Sequence, residues 1–154
     1  MADAALRSSS LSAGYTWPLR EHSRHFDLGH IFNCAVTDAI EPAHTGSLGI
    51  HHAGLWECDL ENNSLIWSGG TYDIFGLKRG SAITREQSLA HYCEHSRASL
   101  ERLRAYAIRH KCGFALDVDI RAAAIGDRRR VRVIGASLCE GDAVVRLHGL
   151  KLIV

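Results

Sequence analysis

The chain has 154 residues, which is enough for one compact domain with an appendage but too short for a second functional domain. Its residues are 46% hydrophobic and 23% charged, which excludes wholesale disorder and predicts a domain with a proper core. Because 18 Lys and Arg stand against 17 Asp and Glu, the net charge is +1, and no overall field favours nucleic acid as a partner.

The cysteines and the N terminus bear on the compartment. There are 5 cysteines, an odd number, and no two of them lie within four positions of each other, which favours reduced thiols over a zinc site or a redox pair. The first residues lack the basic and apolar segments of a secretion signal, and no apolar run approaches the roughly 18 residues that a bilayer span requires. We therefore expect a cytoplasmic protein without membrane insertion.

The sequence of the N-terminal third predicts a flexible tail over residues 1–18, followed by a helix and a linker over residues 19–53. Asp27 is a suitable N-cap, and Glu41-Pro42 is a stop signal for the helix. Between them, apolar residues recur at helical spacing and form one stripe: Ile31, Phe32, Ala35, Ala39 and Ile40. Such a stripe is too apolar to be left in water, so we expect it to cover another surface.

The main domain is predicted to begin at residue 54, with two strands and then helices. Residues 55–60 alternate, which places Trp56 and Cys58 on one face, and the turn at Glu61-Asn62-Asn63 leads into a second strand. Capping patterns then predict three helices, a short one over residues 69–75, one opening at the capping box of residues 84–87, and a longer one from Ser96 to about His110.

Three further strands are predicted to close the chain. Residues 114–121 alternate between apolar and polar side chains, with Phe114 on the buried face and Asp117 and Asp119 in water. Turns at Gly126-Asp127 and at residues 140–142 join the last strands into a meander. The predicted fold class is α+β, a five-stranded antiparallel sheet with helices on one face, preceded by the N-terminal helix.

Two linked motifs give this domain a family resemblance. Residues 54–60, GLWECDL, and residues 66–77, which read IWS and then YDIFGL, resemble the opening of PAS domains of the third PAS-fold subgroup. The resemblance covers residues 54–154, although HYCEHSR at residues 91–97 departs from the HPDDR of that family. It implies a stand-alone, single-domain bacterial signalling protein that is not an enzyme. Such a protein would act in trans through protein–protein interaction, with a two-component histidine kinase as the expected partner.

The resemblance also implies a ligand pocket between the helices and the sheet. The residues expected to line it are Tyr72, Phe75, Leu89, Tyr92, Leu103, Ile108, Leu116 and Val118. The alternative function is therefore a ligand-gated sensor that binds haem or a small metabolite in this pocket.

The sequence lacks the motifs and ligand patterns that a bound flavin, haem or metal requires, so no cofactor is expected. A flavin photosensor of the LOV type requires an Asn-Cys-Arg-Phe motif, whereas Asn33-Cys34 lies upstream of the domain and is followed by Ala. A haem ligand would come from His91, His95 or His110, but the spacing of these residues is more typical of surface or capping positions. His22 and His25 have helical spacing but too few companions for a metal site.

Two surfaces are candidates for protein contacts. The basic run Arg128, Arg129, Arg130 and Arg132 would suit an acidic partner protein, although alternate side chains of a strand next to a turn are usually solvated. The apolar stripe of residues 27–40 would form a homodimer with its own copy, or else pack in cis on the sheet of the same chain. No nucleophile elbow, phosphate-binding loop or dinucleotide motif is present, so we expect no catalysis.

Overall fold

A computed structural model of the protein describes residues 30–33, 53–123 and 126–154. Six strands and three helices lie within these residues: β1 His30–Asn33, β2 Ala53–Asp59, β3 Leu65–Trp67, α1 Gly69–Phe75, α2 Arg85–Leu89, α3 Glu94–His110, β4 Cys112–Arg121, β5 Arg128–Glu140 and β6 Ala143–Ile153. The strands form one antiparallel sheet in the order β1-β4-β5-β6-β2-β3. Strands β2 to β6, with the helices over one face, confirm the predicted α+β architecture.

Residues 30–33 correct the prediction of an N-terminal helix. They form the edge strand β1, which pairs antiparallel with β4 and places Ile31 opposite Phe114. Ile31 is 4% exposed and belongs to the hydrophobic core. A short apolar run fits helical and strand periodicity equally well, and here hydrogen bonding to the edge of β4 stabilises the extended form.

This strand also corrects one part of the predicted dimer interface. Ile31 packs in cis on the sheet of its own chain, which is the alternative that the apolar stripe allowed. The side chain of Phe32, the residues Ala35, Ala39 and Ile40, and the tail over residues 1–18 lie outside the described residues, so the homodimer itself stays a prediction.

Local signals placed the helices of the main domain correctly. Helix α1 follows Ser68 and ends at Gly76, whose φ of 67° is the left-handed conformation that favours glycine. Helix α2 begins with the predicted capping box, in which the Gln87 backbone donates to Thr84 Oγ1 at 3.1 Å and Thr84 N donates to Gln87 Oε1 at 2.9 Å. The predicted starts of α1 and α2 are therefore confirmed, although Ser68 Oγ accepts from Leu55 N instead of capping α1. Helix α3 begins at Glu94, two residues before the predicted Ser96, and ends at His110 as predicted.

The inner face of the sheet and the helices enclose the core. Its largest buried members include Phe75, Phe114 and Leu147, which confirms the predicted inward phase of β4. On β5, Gly135 leaves room for two rings, since a Cβ there would stand 2.8 Å from atoms of both Phe114 and Trp56. The Trp56 indole lies in this space and donates from Nε1 to Ile134 O at 3.2 Å and to Leu150 O at 3.3 Å.

Among the described residues, no helix is long and apolar enough to cross a membrane. In the same part of the chain, Cys58, Cys93, Cys112 and Cys139 form no disulfide. No group of three His, Cys, Asp or Glu side chains suited to a metal ion occurs within the described ranges.

Candidate functional site: an internal cavity and the outer sheet face

A cavity of about 50 Å³ lies between α2, α3 and the sheet. Its walls are mostly apolar and aromatic, with a few charged groups: Trp56, Cys58, Leu65, Trp67, Arg85, Ser88, Leu89, Tyr92, Leu100, Glu101, Arg104, Phe114, Val133, Leu147 and Lys151. A cavity needs roughly 10–15 Å³ for each water, so this one has room for about three or four waters or an organic group of similar size.

Lys151 is an unexpected residue in the wall of this cavity. It lies on β6 opposite Gly54 of β2 and Val133 of β5, on the inner face of the sheet, and it is only 6% exposed. Its ammonium nitrogen faces four aromatic rings, at distances to the ring centroids of 4.9 Å for Phe75, 5.1 Å for Trp67, 5.4 Å for Trp56 and 5.7 Å for Tyr92. Among the described residues, Lys151 Nζ has no hydrogen-bond acceptor and no carboxylate partner.

Burial controls the electrostatics of the cavity. Desolvation lowers the pKa of Lys151 from 10.5 to about 7, against a smaller opposing contribution from Cys58. The electron-rich ring faces attract the ammonium form and offset part of this cost. Burial also raises the pKa of the Tyr92 phenol, which therefore stays neutral at physiological pH.

The mouth of the cavity carries the remaining charges. Arg85 of α2 forms an ion pair with Glu101 of α3, and the Arg85 side chain is 17% exposed. Arg104, one turn further along α3, donates to Asn63 Oδ1 at 3.3 Å. Glu101 at the mouth is therefore already paired with Arg85. Lys151, further inside, has no carboxylate partner among the described residues.

The outer face of the sheet combines apolar side chains with ion pairs. Register with β6 places Leu55, Ile134 and Leu150 in one cross-strand row on this face, because they alternate with the inward Trp56 and Lys151. Ile66 on β3 lies opposite the outward-facing Glu57 and is 64% exposed.

The four arginines of the predicted basic run have two kinds of partner. Arg130 pairs with Asp119 at 3.5 Å, and Arg132 binds both carboxylate oxygens of Asp117, at 2.8 and 3.0 Å. Arg129 instead donates from Nη1 to the carbonyls of residues 73 and 74, where α1 ends. Arg128 donates to Cys93 Sγ at 3.6 Å. The run is therefore a set of intramolecular contacts on two sides of β5, and its role in docking stays a prediction.

Comparison with known proteins identifies the fold. No protein-family model and no curated protein matches the sequence. Among solved structures, a sensory box histidine kinase/response regulator from Burkholderia thailandensis is similar, with a TM-score of 0.61 and 19% identity over 74% of this chain and 85% of that one. The N-terminal domain of a diguanylate cyclase with PAS/PAC sensor from Marinobacter aquaeolei has a TM-score of 0.59 and 12% identity, over 66% of this chain and 94% of that one. The chain has a PAS fold.

A third neighbour shows how small a part of some receptors this fold occupies. An RNA-binding light-oxygen-voltage receptor is similar with a TM-score of 0.59 and 16% identity, over 66% of this chain but only 29% of that chain. The present chain therefore spans less than a third of that receptor. These neighbours confirm the PAS resemblance of GLWECDL and the motif after it, while the third subgroup stays a prediction.

The eight residues predicted to line the PAS pocket fall into three groups. Leu89 and Tyr92 line the cavity, and the Phe75 ring faces the Lys151 ammonium. Leu103, Leu116 and Val118 are buried in the core, and Ile108 packs against its edge. Tyr72 is buried as well, and its hydroxyl donates to Ser81 O at 2.7 Å.

The most distinctive residue of the cavity, Lys151, was not predicted from the sequence. One signal was present, because Leu147, Gly149, Lys151 and Ile153 share a strand face whose other members are apolar or small. Lysine in a strand is ordinarily solvated, which argues against an inward position for this residue. Trp56 and Trp67 were assigned to strands but not to the pocket.

The geometry does not suit the large cofactors of other PAS proteins. Four rings and the lysine stem occupy the space beside the cavity, and a volume of about 50 Å³ is small for a ring system such as flavin or haem. None of the three histidines that could supply a haem ligand lines the cavity, although the His91 ring packs edge-on against Phe75 with centroids 5.6 Å apart. His91 Nδ1 lies 3.0 Å from Arg121 O, His95 lies 3.3 Å from Asp119, and His110 stacks on Tyr106.

Proposed function

We propose that this protein is a cytoplasmic bacterial PAS signalling protein that acts in trans by binding other proteins and has no catalytic activity of its own. The observation that carries the proposal is Ile66 on the outer sheet face, which is 64% exposed and lies near the partly buried Leu55 and Ile134, while Leu150 between those two is buried. Exposed apolar side chains grouped on one face of a domain mark contact surfaces. The PAS fold found in sensor histidine kinases supports a histidine kinase as the downstream partner.

The first contact on this face is a second copy of the chain. Its ion pairs, which join Glu57 to Arg146 and Asp117 to Arg132, carry both signs in equal number. A two-fold contact brings each patch against its own copy, and a patch of mixed charge avoids the repulsion that a single sign would cause. A homodimer therefore fits this surface without the predicted N-terminal helix.

The homodimer is tested by replacing Ile66 with glutamate. Because the side chain is 64% exposed, Ile66→Glu leaves the fold intact but buries a charge in the dimer, so we expect a dimeric wild type and a monomeric variant in light scattering. Arg102→Glu, an exposed change on α3, is the matched control and stays dimeric. A monomeric wild type, or an Ile66→Glu protein that remains dimeric, would contradict the contact.

Action in trans is tested with purified histidine kinases of the source organism. We expect the wild type to change the autophosphorylation rate of its partner kinase by about five-fold or more, the size of an ordinary coupling free energy. The double variant Arg130→Glu, Arg132→Glu should lose this effect, because it reverses the outward charge of β5, while Arg102→Glu should keep it. If no kinase responds to the wild type, the two-component role is wrong.

A sensor of small molecules is the second candidate function. The buried lysine at the cavity favours it, because a charged group inside a core needs a partner and the described residues supply none. The cavity excludes haem by size, so the ligand of this candidate is a small metabolite.

A further inference from the structure

Lys151 is an amine that is buried without a carboxylate partner among the described residues. The residue is only 6% exposed, and its Nζ lies over four aromatic rings, at 4.9 to 5.7 Å from their centroids. Buried charges are ordinarily paired, because desolvation costs far more than ring faces return. The Lys151 amine therefore lacks a hydrogen-bond acceptor and a carboxylate partner among the described residues, and it lines a cavity.

The cavity supplies the place for the missing partner. Lys151 forms part of its wall, and Arg85 and Arg104 stand at its mouth, where Glu101 pairs with Arg85 and Arg104 donates to Asn63. Two of the three cations are therefore not matched by a carboxylate in the lining. A small anion entering here meets a positive potential in a site of low polarity, where charge interactions are strong.

We propose that the cavity binds a small monocarboxylate, such as formate or acetate, as the counter-ion of Lys151. The inference rests on the second candidate function and names its ligand class. Burial places the pKa of Lys151 at about 7, so a substantial fraction of the amine is protonated at neutral pH. A carboxylate would shift this balance further toward the ammonium form.

Size and charge select the carboxylate over other anions. A volume of about 50 Å³ holds roughly three or four heavy atoms, which matches acetate. One negative charge matches the buried ammonium group, because the other cation of the lining without a carboxylate, Arg104, lies at the mouth and donates to Asn63. The acetate methyl group would lie against the aromatic walls and lose no hydrogen bond there.

Acetate in a buffer free of other carboxylates is the probe for this site. Binding is followed by saturation-transfer NMR on the acetate methyl and by tryptophan fluorescence, since the rings of Trp56 and Trp67 face the amine. We expect saturable binding to the wild type and an affinity lower by about ten-fold or more in Lys151→Met, which removes the charge but keeps the length of the side chain. Lys78→Met makes the same change at an exposed position and should bind like the wild type.

Acetamide separates the charge from the cavity. It has the shape of acetate without the charge, and we expect no saturable binding. Equal affinity for acetamide would overturn the carboxylate inference while leaving a small-molecule sensor in place. Undiminished acetate binding by Lys151→Met, or no saturable binding by the wild type, would also overturn it. The kinase assay is independent of all these outcomes.

Discussion

Replacing Trp56 or Phe114 by alanine is expected to cost about 3–5 kcal/mol of folding free energy, which is enough to unfold a domain of ordinary stability. Phe114 is 1% exposed and Trp56 is 8% exposed, and both fill the space that Gly135 leaves open. Alanine at either site would leave a cavity that the surrounding strands cannot close. For Trp56, two backbone carbonyls would also lose a donor. Chemical denaturation with a linear extrapolation measures the loss.

Ile66→Ala is the control for these core variants. Ile66 is as large and apolar as a core residue but lies 64% exposed on the outer face, so its truncation should change stability by no more than about 0.5 kcal/mol. A loss below about 1 kcal/mol for both core variants would mean that Trp56 and Phe114 contribute little to the core, contrary to their burial.

The main domain could be predicted because its signals are local. A Trp56-Cys58 alternation sets the inward face of β2 whatever the rest of the chain does, and a capping box defines the start of α2 within four residues. The positive φ of 57° at Asn63 and the left-handed Gly76 are likewise properties of single residues. Each such signal survives folding because tertiary contacts reinforce it.

Strand β1 could not be predicted because its stability is not local. Ile31 pairs across the sheet with Phe114, more than eighty residues later in the chain. No pattern in the sequence around Ile31 indicates that pairing. Helical spacing of apolar residues was the strongest local pattern, but hydrogen bonding to an open strand edge outweighs a weak helix preference. The error therefore reflects a tertiary effect on an ambiguous segment.

The pocket between helices and sheet is predicted from the family resemblance, but its buried lysine is not, for a different reason. Sequence patterns indicate which positions face inward, and by that rule Lys151 shares a face with Leu147 and Gly149. The usual solvation of lysine argues against the same position, and only coordinates show four rings around its ammonium group. Residues that break a local rule in this way are the ones where function is to be sought.

Lys151→Met is expected to stabilise the protein by about 2–4 kcal/mol at pH 6, which is the opposite of what most core substitutions do. Methionine fills the volume of the lysine stem and suits aromatic surroundings, and it has no charge to desolvate. The fall of the Lys151 pKa from 10.5 to about 7 sets an upper limit of roughly 5 kcal/mol on the gain. Urea denaturation of both proteins in carboxylate-free buffer measures the difference.

The pH dependence of this difference identifies the buried amine as its cause. Between pH 7 and about 10 the unfolded chain keeps the Lys151 proton while the folded chain has lost it, so wild-type stability rises with pH relative to the variant. Below pH 7 both states are protonated and the full penalty remains. Arg85, Tyr92, Glu101 and Arg104, the other charged or ionisable groups of the cavity, are present in both proteins, so their contributions largely cancel, while the interaction of Cys58 with Lys151 opposes the desolvation only in part. The advantage of Lys151→Met should therefore be constant from pH 5 to 6 and shrink steadily toward pH 10. A gain that does not change with pH would assign the effect to packing, and a loss of stability at pH 6 would show that the aromatic rings satisfy the ammonium group on their own.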